Sequence, residues 1–145
     1  MTGAELGQPG EAELRQWIRA VGDVTTPLLA GFSVASVIVV SDDAGNFRWP
    51  GATILVLAVA AITLIAAVQC AYHTRLYLSA DPKWGARWAA GTRIFYHSGI
   101  VALLAGLGLA LAPQHGSGTE AGLRWSAMSI TLLACAGESI VIILF

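Results

Sequence analysis

The chain has 145 residues, of which 56% are hydrophobic and only 12% are charged, with a formal net charge of −1. Soluble domains carry about a quarter charged residues, so this composition indicates a membrane protein. Nucleic acid is excluded as an expected partner because binding it needs a basic patch or stripe. The charged residues lie almost entirely between long apolar runs.

We expect residues 1–10, MTGAELGQPG, to be disordered. Residues 11–23 predict an amphipathic helix whose apolar side chains recur at helical spacing: Leu14, Trp17, Ile18 and Val21. We expect this helix to lie on the inner membrane surface, separated from the first span by a bend at Gly22 or Pro27. A cytoplasmic extension of the first span is the alternative.

Four apolar runs follow, and a bilayer core of about 30 Å is crossed by about 20 helical residues. The predicted spans are 24–41, 52–78, 93–112 and 123–145. Turn signals separate them, including Pro50-Gly51 and Asp81-Pro82. The predicted fold class is all-α: a four-transmembrane-helix bundle, residues 24–145, with neighbouring helices antiparallel.

Lysine and arginine residues predict the orientation. Six of the eight lie on one side of the predicted spans: Arg15, Arg19, Arg75, Lys83, Arg87 and Arg93. The other side has Arg48 and Arg124. This distribution places both termini in the cytoplasm of a multi-pass plasma membrane protein. The adjacent Asp42 and Asp43 then form an acidic mouth on the outer side.

Rows of small residues at four-residue spacing predict close helix packing in the last two spans. The third span has Ser98, Ala102, Gly106 and Ala110, and the fourth has Ala127, Thr131, Cys135 and Ser139. Such rows allow backbones to approach closely. The contact could form within one chain or between chains.

Glu138 and Gln69 are strongly polar residues inside apolar runs. Glu138 has an apolar stretch on each side, and Gln69 lies at a comparable depth in the second span. An intramembrane carboxylate indicates function by default. A carboxyl group that joins helices by hydrogen bonds is the structural alternative, with Gln69 as a candidate partner.

His73 and His97 lie near the same end of adjacent predicted helices and suggest axial ligands of haem b. Interfacial histidines that need no cofactor are the simpler interpretation, so no cofactor is expected. The three histidines and two cysteines give no credible metal site. The sequence also lacks the common catalytic motifs, so we do not expect an enzyme.

The segment LLAGFSVASVIVVSDD, residues 28–43, resembles the first transmembrane helix of Orai-type calcium channel subunits. The ACAG segment, residues 134–137, is similar to the cysteine–glycine region of their fourth helix. The resemblance implies a pore face made of Leu28, Gly31, Phe32, Ala35, Val39 and Asp43. Val39 stands where that family has its filter glutamate, and valine has no oxygen ligand for calcium.

The sequence therefore predicts a small homo-oligomeric membrane protein, an ion channel or transport subunit with the first span near the pore. Asp42 and Asp43 would concentrate cations at its mouth. A second hypothesis is a non-conducting anchor that recruits a cytoplasmic protein through residues 11–23 and 80–93. A haem b anchor is the third hypothesis.

Overall fold

The computed structural model describes residues 11–78, 80–112 and 119–144, without the side chains of 11, 12, 14, 15, 119–121 and 138–144. Every regular element in these ranges is helical. In chain order they are α1 (Glu11–Ala20), a π-turn (Val21–Thr25), α2 (Thr26–Asp42), a 3₁₀ turn (Ala44–Asn46), α3 (Pro50–Leu78), α4 (Pro82–Ala110) and α5 (Thr119–Leu144).

Three helical segments of the described chain are long and apolar enough to cross a membrane. They are Gln16–Asp42, Pro50–Leu78 and Pro82–Ala110, with 27, 29 and 29 residues. The all-α class and the membrane assignment agree with the composition of the sequence. The helix α5 has 26 residues, but several of its side chains lie outside the described set.

The helix α4 begins at Pro82, well before the predicted start of the third span at residue 93. The Asp81 carboxylate explains this start, because it accepts hydrogen bonds from the backbone N–H of Lys83 at 3.0 Å and of Trp84 at 3.4 Å. Pro82 takes the first helical position, where a missing N–H has no cost. The segment predicted as a loop is therefore mostly helix.

The helices α1 and α2 are joined by the π-turn without a break. The backbone therefore agrees with a helical extension of the first span and not with a separate interfacial helix. Ala20 and Thr26, on either side of the π-turn, both have α-helical backbone angles. Pro27 has no N–H and its ring crowds the carbonyl of the preceding turn. The hydroxyls of Thr25 and Thr26 donate to carbonyls five residues earlier, which satisfies the widened turn.

The apolar face of α1 packs against the protein's own helices. Ile18 is only 1% exposed, and Val21 is buried. The Trp17 ring meets the Tyr96 ring of α4 edge-on, with centroids 6.5 Å apart. Of the face that we expected to contact lipid, Ile18 and Val21 are therefore covered within the chain and Trp17 is partly covered, while the side chain of Leu14 lies outside the described residues.

The α3–α4 hairpin is the most tightly packed part of the described chain. Most of its buried residues fall into three rows with a spacing of seven positions. Two rows lie on α3, Thr53, Ala60, Ala67 and Thr74 in the first and Leu57, Leu64 and Ala71 in the second. The third lies on α4 and consists of Gly85, Thr92, Gly99 and Gly106. This spacing is that of antiparallel helices that pack as a coiled coil. A Cβ atom added at Gly99 would lie 2.6 Å from Leu64 Cγ, so glycine is required there.

The long helices form a row in which each packs mainly on its neighbours in the chain. The helix α2 packs on α3, α3 on α4, and α4 on α5, while α2 touches α4 only slightly. A buried cluster of Val40, Leu57, Ala60 and Leu103 joins α2, α3 and α4. Within the described residues, α2 and α5 are therefore the outer members of the row.

Candidate functional site

The helix α2 has one face against α3 and one face without a neighbour in the described chain. Ala30, Ser33 and Val40 are buried on the first face. On the other face Leu28 is 68% exposed, Phe32 52% and Val39 60%. The exposed side includes all six residues of the predicted pore face, which we call the outer stripe: Leu28, Gly31, Phe32, Ala35, Val39 and Asp43.

The serine hydroxyls of α2 are satisfied within the helix. Each donates to the carbonyl four residues earlier, at 2.8 to 2.9 Å: Ser33, Ser36 and Ser41. Such back-bonding lets a hydroxyl sit in an apolar helix without another partner. The outer stripe is therefore apolar along its length until it reaches its acidic end.

That acidic end is formed by Asp42 and Asp43, both of which are exposed. Asp42 is the last residue of α2, and the backbone turns at Asp43. Asp43 Oδ2 accepts a hydrogen bond of 2.6 Å from Asn46 Nδ2, which fixes the carboxylate beside the 3₁₀ turn. Carboxylates at a helix C-terminus oppose the helix dipole, so helix stability does not explain them.

The opposite end of α2 is attached to α3 through Arg75. Its Nη1 lies 2.8 Å from Asp23 Oδ1, and its Nη2 donates to the Ile18 carbonyl at 3.2 Å. Gly22 permits this approach, because an added Cβ would lie 3.0 Å from Ala71 Cβ. Sequence reasoning missed this contact, since Ile18 and Arg75 are 57 positions apart and no local pattern connects them.

The two histidines considered for haem lie on adjacent helices. The His73 ring stacks on Trp88 with centroids 4.6 Å apart, and its Nδ1 is buried with no hydrogen-bond partner among the described groups. His97 is half-buried, with its ring 5.5 Å from that of Tyr96. No three His, Cys, Asp or Glu side chains of the described chain are grouped to hold a metal ion. The absence of a cofactor stays a prediction, with haem b as its alternative.

The predicted intramembrane polar pair is only partly described. Gln69 is exposed on α3. The side chains of Glu138 and Ser139 lie outside the described residues. The helix α5, which carries them, packs on α4 rather than on α3, the helix of Gln69. Whether Glu138 joins helices or serves a pathway stays a prediction.

The predicted rows of small residues differ in their surroundings. In α4, Gly106 is buried under Leu57, whereas Ser98, Ala102 and Ala110 are half-buried. The closest contact between α3 and α4 is made by Gly99 and Gly106, which are seven positions apart and lie against Leu64 and Leu57. The seven-residue spacing of these two leucines is visible in the sequence and could have predicted the contact. In α5, Ala127, Thr131 and Cys135 are half-buried, and Cys135 Sγ contacts the Val101 carbonyl of α4 at 3.6 Å.

No protein-family model, curated protein or solved structure matches this chain. The resemblance to Orai-type subunits therefore stays a prediction that rests on residues 28–43.

Proposed function

We propose that this chain is the subunit of a homo-oligomeric cation channel in which four helices cross the membrane and α2 lies nearest the axis. The outer stripe carries the proposal, since it is an apolar helix face that lacks a neighbour in the described chain and ends in two carboxylates. The helix α5, predicted as the fourth span, then lies at the far side of the row, away from the axis.

The row of helices supports an oligomer rather than a monomeric pore. Consecutive helices that pack side by side do not enclose a path across the membrane. Copies related by a rotation axis close into a ring, and the helix at the inner edge of each row then lines the centre. Of the two outer helices, α2 is the one that ends in a pair of adjacent acidic residues, Asp42 and Asp43, whereas α5 has the single Glu120 in its first turn.

The chemistry of the outer stripe supports a gated path. Phe32 and Val39 would form apolar rings around the axis, and hydrophobic constrictions close by losing water. Asp42 and Asp43 would draw cations to one mouth of the path. Because Val39 offers no oxygen ligand, we propose cation conduction without calcium selectivity.

The distribution of basic residues supports one orientation in the plasma membrane. The end where α1, the π-turn and the α3–α4 turn meet carries six of the eight lysine and arginine residues. We therefore propose that this end and both termini are cytoplasmic and that Asp42 and Asp43 face outward.

Flux through purified protein in liposomes tests the function. We expect potassium flux under an applied gradient, a strong reduction in Asp42→Asn/Asp43→Asn, and a higher flux in Phe32→Ala, which widens the apolar ring. Leu55→Ala, a similar truncation on the exposed side of α3, is the control and should conduct normally. Absence of flux at every gradient and voltage would refute the channel.

Disulfide cross-linking tests the position of α2 separately. In a background with Cys70→Ala and Cys135→Ala, we expect Ala35→Cys to give covalent dimers in membranes. Ile62→Cys, on the exposed side of α3, is the comparison and should cross-link less. A monomer in mild detergent, or equal cross-linking at both positions, would remove α2 from the axis.

The anchor hypothesis receives less support from the packing. One of its two docking surfaces contains Ile18, which is buried, and Trp17, which packs on Tyr96. A soluble partner would have to displace α1 from α3 and α4 to reach them. Stoichiometric recovery of a soluble protein that Trp17→Ala/Ile18→Ala abolishes, in the absence of any flux, would favour the anchor.

A further inference from the structure

The turn between α3 and α4 presents a surface that combines cations with aromatic rings. Lys83, Trp84 and Arg87 are all exposed on the first two turns of α4. The Arg87 guanidinium lies over the Trp84 ring, 5.1 Å from its centroid, and Tyr77 is exposed at the end of α3. We call Tyr77, Lys83, Trp84 and Arg87 the basic turn.

The stability of α4 does not account for these cations. Lys83 and Arg87 are four positions apart on one helix, where like charges repel. They also lie near the helix N-terminus, whose dipole disfavours positive charge. Asp81 is used as the helix cap through Oδ1, and neither Lys83 nor Arg87 forms an ion pair with another described residue. The arrangement is therefore suited to an external anion.

The length of the hairpin places the basic turn at the membrane surface. Helices of 29 residues are about 44 Å long, whereas the hydrocarbon core is about 30 Å thick. The helices α3 and α4 therefore extend into the headgroup layer. Tryptophan and tyrosine rings favour this layer, because one part of each ring system is apolar and the other forms hydrogen bonds.

We propose that the basic turn binds the headgroups of anionic phospholipids in the leaflet that it contacts. The Lys83 ammonium and the Arg87 guanidinium donate charge-assisted hydrogen bonds to the phosphate, and Trp84 packs beside the glycerol region. The occupant is a lipid rather than a soluble phosphate because the exposed rings need an apolar neighbour beside the anion. This interaction does not depend on conduction.

Lipid binding to the purified protein tests the proposal. In detergent, we compare phosphatidylglycerol with phosphatidylcholine by native mass spectrometry and by the shift in thermal stability. The wild type should retain phosphatidylglycerol preferentially. The variant Lys83→Gln/Arg87→Gln should bind it roughly 25-fold more weakly at low salt, since each cation near an anionic surface contributes about fivefold. Added salt should shrink the difference.

The control for this experiment is Arg48→Gln/Arg124→Gln, which removes the same number of cations from the other end of the molecule. It is matched in local chemistry, because the Arg48 guanidinium also lies over a tryptophan ring, 4.7 Å from the centroid of Trp49. We expect this control to keep the preference for phosphatidylglycerol. Equal losses in both variants would overturn the proposal.

Fluorescence quenching gives a second readout that does not depend on stability. The Trp84 signal, taken as the difference between wild type and Trp84→Phe, should be quenched more by brominated phosphatidylglycerol than by brominated phosphatidylcholine. Far-UV circular dichroism verifies that each variant keeps its helix content. Equal quenching by the two lipids, or competition by millimolar glycerol phosphate, would overturn the lipid assignment.

Discussion

The α3–α4 hairpin and the helix α2 use small residues in opposite ways. In the hairpin, Gly99 and Gly106 are buried directly under Leu64 and Leu57. In α2, a Cβ added at Gly31 would meet nothing within 4 Å. The hairpin glycines are needed for a contact that is already present, whereas Gly31 leaves space on a face that the described chain does not cover. The same residue type thus indicates completed packing in one helix and an available surface in another.

The largest expected effect comes from the core of the hairpin. Leu57→Ala should lower the free energy of unfolding by about 2–5 kcal/mol, because the fully buried side chain leaves a cavity. Leu55→Ala makes the same change two residues away, on the exposed side of α3, and should have little effect on the monomer. Unfolding in mixed detergent micelles measures both. Equal losses would mean that Leu57 is no more tightly packed than Leu55, which would contradict a packed core between α3 and α4.

A valine at the glycine positions gives the next largest effect and compares the two regions directly. Gly99→Val should destabilise the protein by about 1–3 kcal/mol through overpacking against Leu64. Gly31→Val should leave unfolding of the monomer within about 0.5 kcal/mol of wild type. The assembly state in mild detergent sharpens the comparison, since a change confined to Gly31→Val would place the outer stripe in an interface between copies.

The π-turn should be sensitive to the loss of one buried hydroxyl. Thr26 is fully buried and donates to the Val21 carbonyl. Thr26→Val keeps the shape but leaves that carbonyl without this donor, and we expect a loss of about 1 kcal/mol. Thr25→Val, whose hydroxyl bonds at a more exposed site, should lose less. Hydrogen exchange of the amides in 18–26 measures the local effect, and a larger change in Thr25→Val would contradict this assignment.

The smallest expected effect is at the attachment of the π-turn to α3. Arg75 and Asp23 have side chains that are 35% and 55% exposed, so solvent screens their ion pair. Asp23→Asn should therefore change the unfolding free energy by less than about 1 kcal/mol. Arg75→Gln should lower the unfolding free energy slightly more than Asp23→Asn does, because Arg75 also donates to the Ile18 carbonyl. Faster hydrogen exchange in α1 with unchanged exchange in α3 is the expected signature.

Hydropathy predicted the all-α class and the presence of membrane-spanning helices because both depend on the length of apolar runs. The prediction of residues 52–78 nearly coincides with α3. The third span was predicted to begin at residue 93, whereas α4 begins at Pro82. The charged residues after Pro82 lower the local hydropathy and hide the first turns of the helix. Asp81 and Pro82 are nevertheless a recognisable helix-start signal.

Contacts between distant segments were beyond the reach of the sequence. Arg75 meets Asp23, and Trp17 meets Tyr96, only because the helices bring them together. The pore face of α2 was predicted from a resemblance. That this face is exposed follows from the packing of α3 against Ser33 and Val40, which the sequence of α2 alone does not show. The side chain of Glu138 lies outside the described residues, and its role stays a prediction.

The π-turn also sets the helical phase of everything that follows it. Continued at ordinary α-helical steps from Ile18, the face toward α3 would pass through Thr25, Leu29, Phe32, Ser36 and Val39. The buried side in fact includes Thr26, Ala30, Ser33 and Val40, each one position later. One extra residue in a single turn has rotated α2 by about 100°. That rotation turns Phe32 and Val39 outward, so deleting one residue of 21–25 would turn Phe32 and Val39 toward α3, where Ser33 and Val40 now lie.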